Sequence, residues 1–594
     1  MGGTVEITGL TKSFGTQNIW RDVTLTLPPG EITALLGPSG TGKSVFLKSV
    51  MGLLRPEQGQ CLIDGVDMVS ASQLELLQIR KRLGVLFQDG ALFGSMSVYD
   101  NVAFPLREHT HKTETEIRSI VNDRLELVGL LGEEHKLPGE TSGGMRKRAG
   151  LARSLVRDPD LILCDEPDSG LDPVRTSFLA QLLMDVNAAT DATILLVTHD
   201  INLARTLPDN IGMLYRRELV IFGPRELVLA VDDPVVTQFL SGTRDGPISM
   251  SEEADHVISE PVAAGTSEAL LETATPVLGR RRATTLADRL PVQLRSSESL
   301  GERDGETRHR ERITVLPPAD LLSRSDGREK PPLPPPPRTT AIGRATRLIG
   351  DLFALGLDVI RLTFKRPFAL RELVEQFWFL ASVSILPAIL VAIPFGAVIA
   401  LQLGSLTVQI GAQSFTGAAS VLAVIQQASP IVTALVIAGA GGAAICADLG
   451  SRTIREEIDA MDVLGVSPVQ RLVVPRVLAA VGVAVLLNGL VSVVGVMGGY
   501  FFNVIVQGGT PGAYLASFTA LAQIQDLVVG EFKAVIFGFI AGLVASYRGL
   551  RPGPGPKGVG DAVNQSVVIT FILLFFVNFV ITTLYLQLVP GKGA

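Results

Sequence analysis

A run of 72 residues, 376–447, carries no Asp, Glu, Lys or Arg, and two more uncharged runs follow at 477–525 and 562–591. A crossing helix needs ~20 apolar residues. In lipid every backbone polar group must find its partner inside the protein, which leaves helices or closed barrels. The last part of the chain therefore reads as all-α and polytopic. Spans are expected near 377–401, 418–446, 473–502, 529–548 and 564–588. The fourth is the weakest, with Glu531 and Lys533 at its outer end, and the long second and third spans have room to tilt or break. Few ionisable residues lie deep in the spans, so no proton relay is expected. Residues 349–372 read as an amphipathic helix on the membrane surface, through Leu352, Phe353, Leu357, Ile360, Leu362 and Phe364. Arg452, Arg455 and Arg471 flank spans two and three, and Arg548, Arg551 and Lys557 follow span four. The connections 402–417 and 503–526 hold no Lys or Arg. Basic loops stay inside, so the C-terminus is expected outside.

The overall 19% of charged residues and net charge of −7 average three unlike regimes. Residues 1–245 hold 24 basic and 32 acidic side chains, as a soluble domain does. Residues 246–345 read as a linker: up to position 340 they contain no Phe, Trp or Tyr, and the prolines of 331–337 are interrupted only by Leu333. Such a stretch buries too little apolar surface to offset its ordering entropy, so a disordered spacer with a polyproline II end is expected. Arg280, Arg281 and Arg282 read as a solvated charge run. Residues 346–594 form the membrane domain. Cys61, Cys164 and Cys446 are too few and too scattered for a disulfide framework. Mild acidity argues against nucleic-acid binding. Met1–Thr16 has no signal-peptide core, so the first domain is expected in the cytoplasm.

The first domain carries the strongest local signal, Gly37-Pro-Ser39-Gly40-Thr-Gly42-Lys43-Ser44. It follows the strand-like Ile32–Leu36 and precedes the helix-like Val45–Met51. The glycines let backbone N–H groups approach phosphate oxygens, Lys43 can reach the β- and γ-phosphates, and the Ser44 hydroxyl suits Mg²⁺. Leu161-Ile-Leu-Cys-Asp165-Glu166 is an apolar strand ending in two carboxylates. Asp165 suits the Mg²⁺ shell and Glu166 the polarisation of an attacking water. Thr141-Ser142-Gly143-Gly144-Met145 opens a basic helix. ATP and Mg²⁺ are the expected ligands. His109 and His111 read as solvated.

In order and spacing these pieces, with Gln88, Ser169-Gly-Leu-Asp172 and His199, resemble the ATPase domain of ABC transporters over residues 4–240. The resemblance implies an α/β P-loop fold. It places Phe14 against adenine, Gln88 near Mg²⁺ and the membrane domain, Asp172 between two ATPase domains and His199 on the γ-phosphate. Ser142, Gly143 and Gly144 would contact the partner's γ-phosphate. Thr141 and Met145 depart from the family's Leu-Ser-Gly-Gly-Gln, which puts turnover rate in question. Met145, and the tail Gln238–Pro247, are similar to the ATPases of the Mla and Mce lipid transport systems.

Ser451–Gly465 is charged, with Ile454, Ile458, Met461 and Leu464 near one helical face. This loop, with Leu472-Val-Val-Pro-Arg476, Tyr547-Arg-Gly-Leu550 and Gly555–Val563, resembles the MlaE/YrbE permeases over residues 345–590. The resemblance implies a surface helix plus five spans, two permeases around a lipid cavity, and a coupling role for Arg455, Glu456, Glu457 and Asp459. One ATPase and one permease make half a transporter, so a second copy or a homologous half-transporter is expected, with an Mce-domain lipid-binding protein outside. The expected function is ATP-driven lipid transport in the cytoplasmic membrane. A transmembrane signalling device acting on an outer enzyme, or a drug or lipid exporter, are the alternatives.

Overall fold

The computed structural model describes residues 2–15, 17–248, 278–280, 312–313, 323–324, 341–366, 368–409, 416–506, 508, 510–512, 514–516 and 523–588. They form two units: Met1–Pro337 with Asp459–Val466, and Arg338–Ile458 with Ser467–Ala594. Most of the expected linker lies outside the described residues. Its described pieces are a strand pair, Leu278–Arg280 with Arg312–Ile313, and the two-residue strand Ser323–Arg324.

The first unit is built on two sheets. An antiparallel sheet runs in the order β2-β1-β4-β5, with β1 Val5–Phe14, β2 Gln17–Leu27, β4 Gln58–Ile63 and β5 Val66–Asp67. The larger sheet contains β3 Ile32–Leu36, β6 Leu83–Leu86, β7 Leu161–Asp165, β8 Thr193–Val197, β9 Asn210–Tyr215 and β10 Glu218–Pro224. Its order is β10-β9-β3-β8-β7-β6, with Ser323–Arg324 paired outside β10. Every residue of β3, β7 and β8 is buried. Continuous apolar runs of this kind are what a parallel sheet covered on both faces requires. The pairs β3/β8, β8/β7 and β7/β6 are parallel. Their carboxyl ends therefore come level at one edge, where ligands bind in open α/β sheets.

Among the described residues, five helices of the second unit are long and apolar enough to cross a membrane: Leu370–Thr407, Thr416–Ile454, Val469–Val506, Ile524–Gly549 and Gly555–Tyr585. The membrane assignment thus stands, with every span longer than the stretch expected for it. The second span continues without a break through π-turns at Val424–Ala428 and Ile437–Gly441. Small residues let the spans approach closely: a Cβ on Gly538 would meet the Ala480 carbonyl at 2.7 Å.

The surface helix differs from expectation. It runs Ala341–Thr363, and span one starts anew at Leu370. Leu352, Val359 and Leu362 face Val473, Val477 and Leu543 of the bundle, whereas Ile349, Phe353, Ile360 and Phe364 are exposed. The apolar residues therefore split between two faces, one for the bundle and one for lipid. Asp351 anchors the helix through Arg551 at 2.7 Å and Tyr547 at 3.1 Å, and these partners hold its carboxyl below the usual range.

Ionisable groups of the first three spans gather near one end of the bundle. The Arg476 side chain is fully buried and donates to Asp448 at 2.6 Å and to the Leu472 carbonyl at 2.9 Å, with Glu372 at 3.2 Å. Arg452 joins Asp448 at 3.2 Å and Glu457 at 3.5 Å. Spans one, two and three thus share one charge network at this end of the bundle. Removing one partner of such a network leaves a buried charge uncompensated, at about 3–5 kcal/mol. Asp448→Ala is expected to lower the thermal stability of the detergent-purified chain markedly, and adding Arg476→Leu is expected to recover much of it; differential scanning fluorimetry of the three proteins checks this.

Candidate functional site

The glycine-rich loop leaves the end of β3 and enters the helix Lys43–Val50. Gly42 has φ 86°, and a Cβ there would lie 2.3 Å from Ile19 Cγ2. A Cβ on Gly37 would lie 2.3 Å from the Leu214 carbonyl oxygen. Only glycine fits either place, and the result is a cradle of backbone N–H groups at a helix start. Lys43 Nζ lies over the loop, donating to the carbonyls of Gly37 at 2.8 Å and Pro38 at 2.7 Å. Ser44 Oγ donates to Asp165 Oδ1 at 3.0 Å, across the intervening β8. A hydroxyl beside a carboxylate offers the hard oxygen donors that Mg²⁺ takes, so the residues present fit a magnesium nucleotide.

Glu166 follows directly on β7. Its backbone is left-handed at φ 44°, pinned by its N–H donating to the Val197 carbonyl of β8 at 3.0 Å. Strain of this kind persists only where the surroundings enforce it. The carboxylate receives Gln88 Nε2 at 2.9 Å and lies 3.4 Å from His199 Nδ1. The structure thus brings together Lys43 and Ser44 after β3, Gln88 after β6, Asp165 and Glu166 at the end of β7, and His199 after β8. Phe14 stands at the end of β1, 47% exposed, with Lys12 Nζ 5.1 Å from its ring centroid. Ser142 caps the helix Gly143–Leu155, accepting from the Met145 N–H at 3.3 Å. Asp172 caps the helix Pro173–Thr190 through the Arg175 N–H at 3.0 Å.

Sequence reasoning missed Lys147. It reaches from the signature helix to the carbonyls of Glu166 at 3.0 Å and of Ser169. Burial pushes its ammonium down, while Asp168, Asp89 and Glu166 oppose that shift. Burial pushes the neighbouring Asp168 carboxyl up. A basic helix start was visible in the sequence, but nothing local marked which cation turns inward.

Ser451–Gly465 is not one helix. The second span ends at Ile454, Glu456 is left-handed at φ 60°, and a new helix spans Glu457–Val463. Glu457 is buried in the second unit, with Arg455 at 3.2 Å. Asp459–Val466 belongs to the first unit. There Asp459 pairs with Lys48 at 2.8 Å, Arg80 donates to the Asp462 carbonyl at 3.1 Å, and His109 Nε2 meets the Leu464 carbonyl. His109 was expected to be solvated; it is half-buried, and His111 is exposed as expected. Burial pushes Asp462 from 3.8 up to about 6, with Arg80 opposing and Asp459 reinforcing.

A strained carboxylate beside a phosphate cradle, in a chain with five membrane-length helices, defines the class: a P-loop ATPase joined to a helical permease. The family description "ABC transporter" matches residues 20–169, and "Permease MlaE" matches residues 373–584. A third, an AAA domain description, matches residues 135–205 and overlaps the first over 135–169. The chain is 59% identical over 316 residues to "Probable ribonucleotide transport ATP-binding protein mkl" of Mycobacterium tuberculosis, covering 53% of this chain and 86% of that protein. It is 43% identical to "Intermembrane phospholipid transport system ATP-binding protein MlaF" of Haemophilus influenzae, covering 43% of this chain and 97% of that protein. The MlaF of Escherichia coli is 41% identical over 244 residues, 41% of this chain and 91% of that protein. The chain belongs to the ABC transporter family, as a fusion of an MlaF-like ATPase with an MlaE-type permease. It is an ATP hydrolase coupled to transport.

Glu166→Gln is expected to keep nucleotide binding and to lower ATP turnover by at least 100-fold; a fluorescent-nucleotide titration and a phosphate-release assay on the purified chain separate the two. The raised Asp462 carboxyl is neutral in the fold where it is already ionised in the unfolded chain. Its contribution therefore falls as pH rises from about 3.8 to about 6 and stays low above that. Asp462→Asn is expected to raise Tm at pH 7.5, with the gain shrinking as the pH is lowered towards 4.5.

Proposed function

We propose that this chain is half of an ATP-driven lipid transporter that works as a pair in the cytoplasmic membrane. The observation that carries the reading is the fusion itself: a chain with MlaF-type relatives continues into an MlaE-type permease. The printed name of the mycobacterial relative points to ribonucleotides instead. Acyl chains or a sterol body suit the three long uncharged runs.

In this reading ATP supplies the γ-phosphoryl group and Mg²⁺ neutralises its charge. Lys43 and the loop N–H groups hold the phosphates, with Ser39, Gly40 and Gly42 shaping the loop. Ser44 and Asp165 hold the cation, with Gln88 beside them. Glu166, oriented by Gln88, polarises the attacking water, and His199 senses the γ-phosphate. Phe14 stacks on the base. Ser142, Gly143, Gly144 and Asp172 complete the site of a second ATPase domain, so two copies, or this chain and a homologous half, are needed. Arg455, Glu456, Glu457 and Asp459 transmit motion to the spans, since Asp459 and Glu457 are two residues apart yet bonded to different units. The basic loops face the cytoplasm, the C-terminus lies outside, and an Mce-domain protein there exchanges the lipid.

Vesicles containing the purified chain, loaded with fluorescent phospholipid, fatty acid or sterol, test the reading. ATP is expected to drive net movement of at least one lipid and no uptake of labelled ribonucleotide; ribonucleotide movement without lipid movement would overturn it. Glu457→Gln is expected to leave ATP hydrolysis measurable and to reduce lipid movement at least fivefold, and equal lipid movement in the variant would remove Glu457 from the coupling path.

A further inference from the structure

Glu166 has a backbone conformation that its own sequence does not favour. Pro167 follows it, and the residue before a proline is pushed towards extended φ and ψ. Glu166 is instead left-handed at φ 44°. A residue with a Cβ keeps such a conformation only when its surroundings hold it there. The carboxylate depends on it, because φ and ψ set the direction in which the side chain leaves the backbone. In this conformation the carboxylate meets Gln88 Nε2 at 2.9 Å and stands 3.4 Å from His199 Nδ1.

The peptide groups on both sides of the Glu166 Cα are pinned. On the amino side its N–H donates to the Val197 carbonyl at 3.0 Å. On the carboxyl side its C=O accepts from Lys147 Nζ at 3.0 Å and from the Ser169 N–H at 3.2 Å. Lys147 also donates to the Ser169 carbonyl, so one ammonium ties both ends of the turn 166–169. That ammonium has a firm base. Its helix, Gly143–Leu155, is fixed against the segment after Gln88. Arg153, 3% exposed, donates to the carbonyls of Gly90 and Ala91 at 2.8 Å each. A Cβ on Gly150 would lie 2.9 Å from Gly90 Cα.

Lys147 is only 6% exposed, and among the described residues it forms no ion pair. Burying an ammonium without a counter-ion is costly. Packing alone does not call for a cation at this place. Two strong N–H donors aimed at the turn that carries Glu166 do.

We infer that Lys147 is a positioning residue for ATP hydrolysis: by holding the Glu166 and Ser169 carbonyls it keeps the Glu166 carboxylate aimed at the attacking water. It touches neither nucleotide nor water and acts through Glu166 alone. Without it the Glu166–Pro167 peptide is free to turn towards the extended conformation that the proline favours, and the carboxylate leaves Gln88. The inference rests on the reading that Glu166 polarises the water, and adds a residue which that reading does not contain.

The test is steady-state ATP hydrolysis by the purified full chain, with rates taken per nucleotide site counted by fluorescent-nucleotide titration, so that a misfolded fraction does not enter. Lys147→Met, of similar length but without donors, is expected to lower kcat by about tenfold or more, as loss of charge-assisted hydrogen bonds does. KM and nucleotide affinity are expected to stay within about twofold, because Lys147 holds neither phosphate nor base. Lys147→Arg, which keeps the donors, is expected to recover at least half of the lost kcat. Added to Glu166→Gln, Lys147→Met is expected to change the residual turnover by less than about twofold, since residues that act as a unit are not additive. A wild-type kcat in Lys147→Met would overturn the inference while leaving the role of Glu166 standing. The same tenfold fall on the Glu166→Gln background, or a Lys147→Met chain with no nucleotide sites, would make Lys147 a structural residue and overturn it as well. Undiminished turnover in Glu166→Gln alone would remove the reading on which the inference rests.

Discussion

The parallel pairing of β6, β7, β8 and β3 is the constraint on which the chemistry depends. Parallel strands start and end together, so Gln88, Glu166, His199 and the phosphate loop are delivered to one edge although they are up to 160 residues apart in the chain. Every residue of β3, β7 and β8 is buried, which fixes the register and leaves the strand ends no freedom to slide. The strained Glu166 backbone is held by a carbonyl of β8 and by Lys147, so the sheet also sustains a conformation that the local sequence does not favour.

A similar economy operates in the membrane unit, with charge in place of strand pairing. Arg476, Asp448, Arg452, Glu372 and Glu457 form one set of ion pairs around the buried Arg476 and Glu457. Each charge is acceptable in that setting only because the others are present. Glu457 belongs to that set, and two residues on Asp459 pairs with Lys48 of the ATPase unit. The left-handed Glu456 lies between them.

The residues that meet at the sheet edge, Lys43, Ser44, Gln88, Asp165, Glu166 and His199, were legible in the sequence, because phosphate chemistry demands glycine, lysine and carboxylate at fixed local spacings. Lys147 was not, since three basic residues open that helix and only packing selects the one that points at Glu166. The spans were legible from uncharged length alone. Their ends were not: charged residues such as Asp448 and Lys533 broke the runs, although the helices continue through them. His109 looked like a solvated histidine because its partner, the Leu464 carbonyl, lies 355 residues away.

The sequence by itself determined that a P-loop ATPase is followed by a polytopic helical domain, since local spacing and hydrophobic length are properties of contiguous residues. Only the tertiary structure decided how charges are paired inside that helical domain. It split the surface helix into a bundle face and an outer face and interrupted the loop 451–465 at Glu456. These outcomes depend on which residues of distant segments meet, and burial then sets whether a charge is tolerated or must be paired.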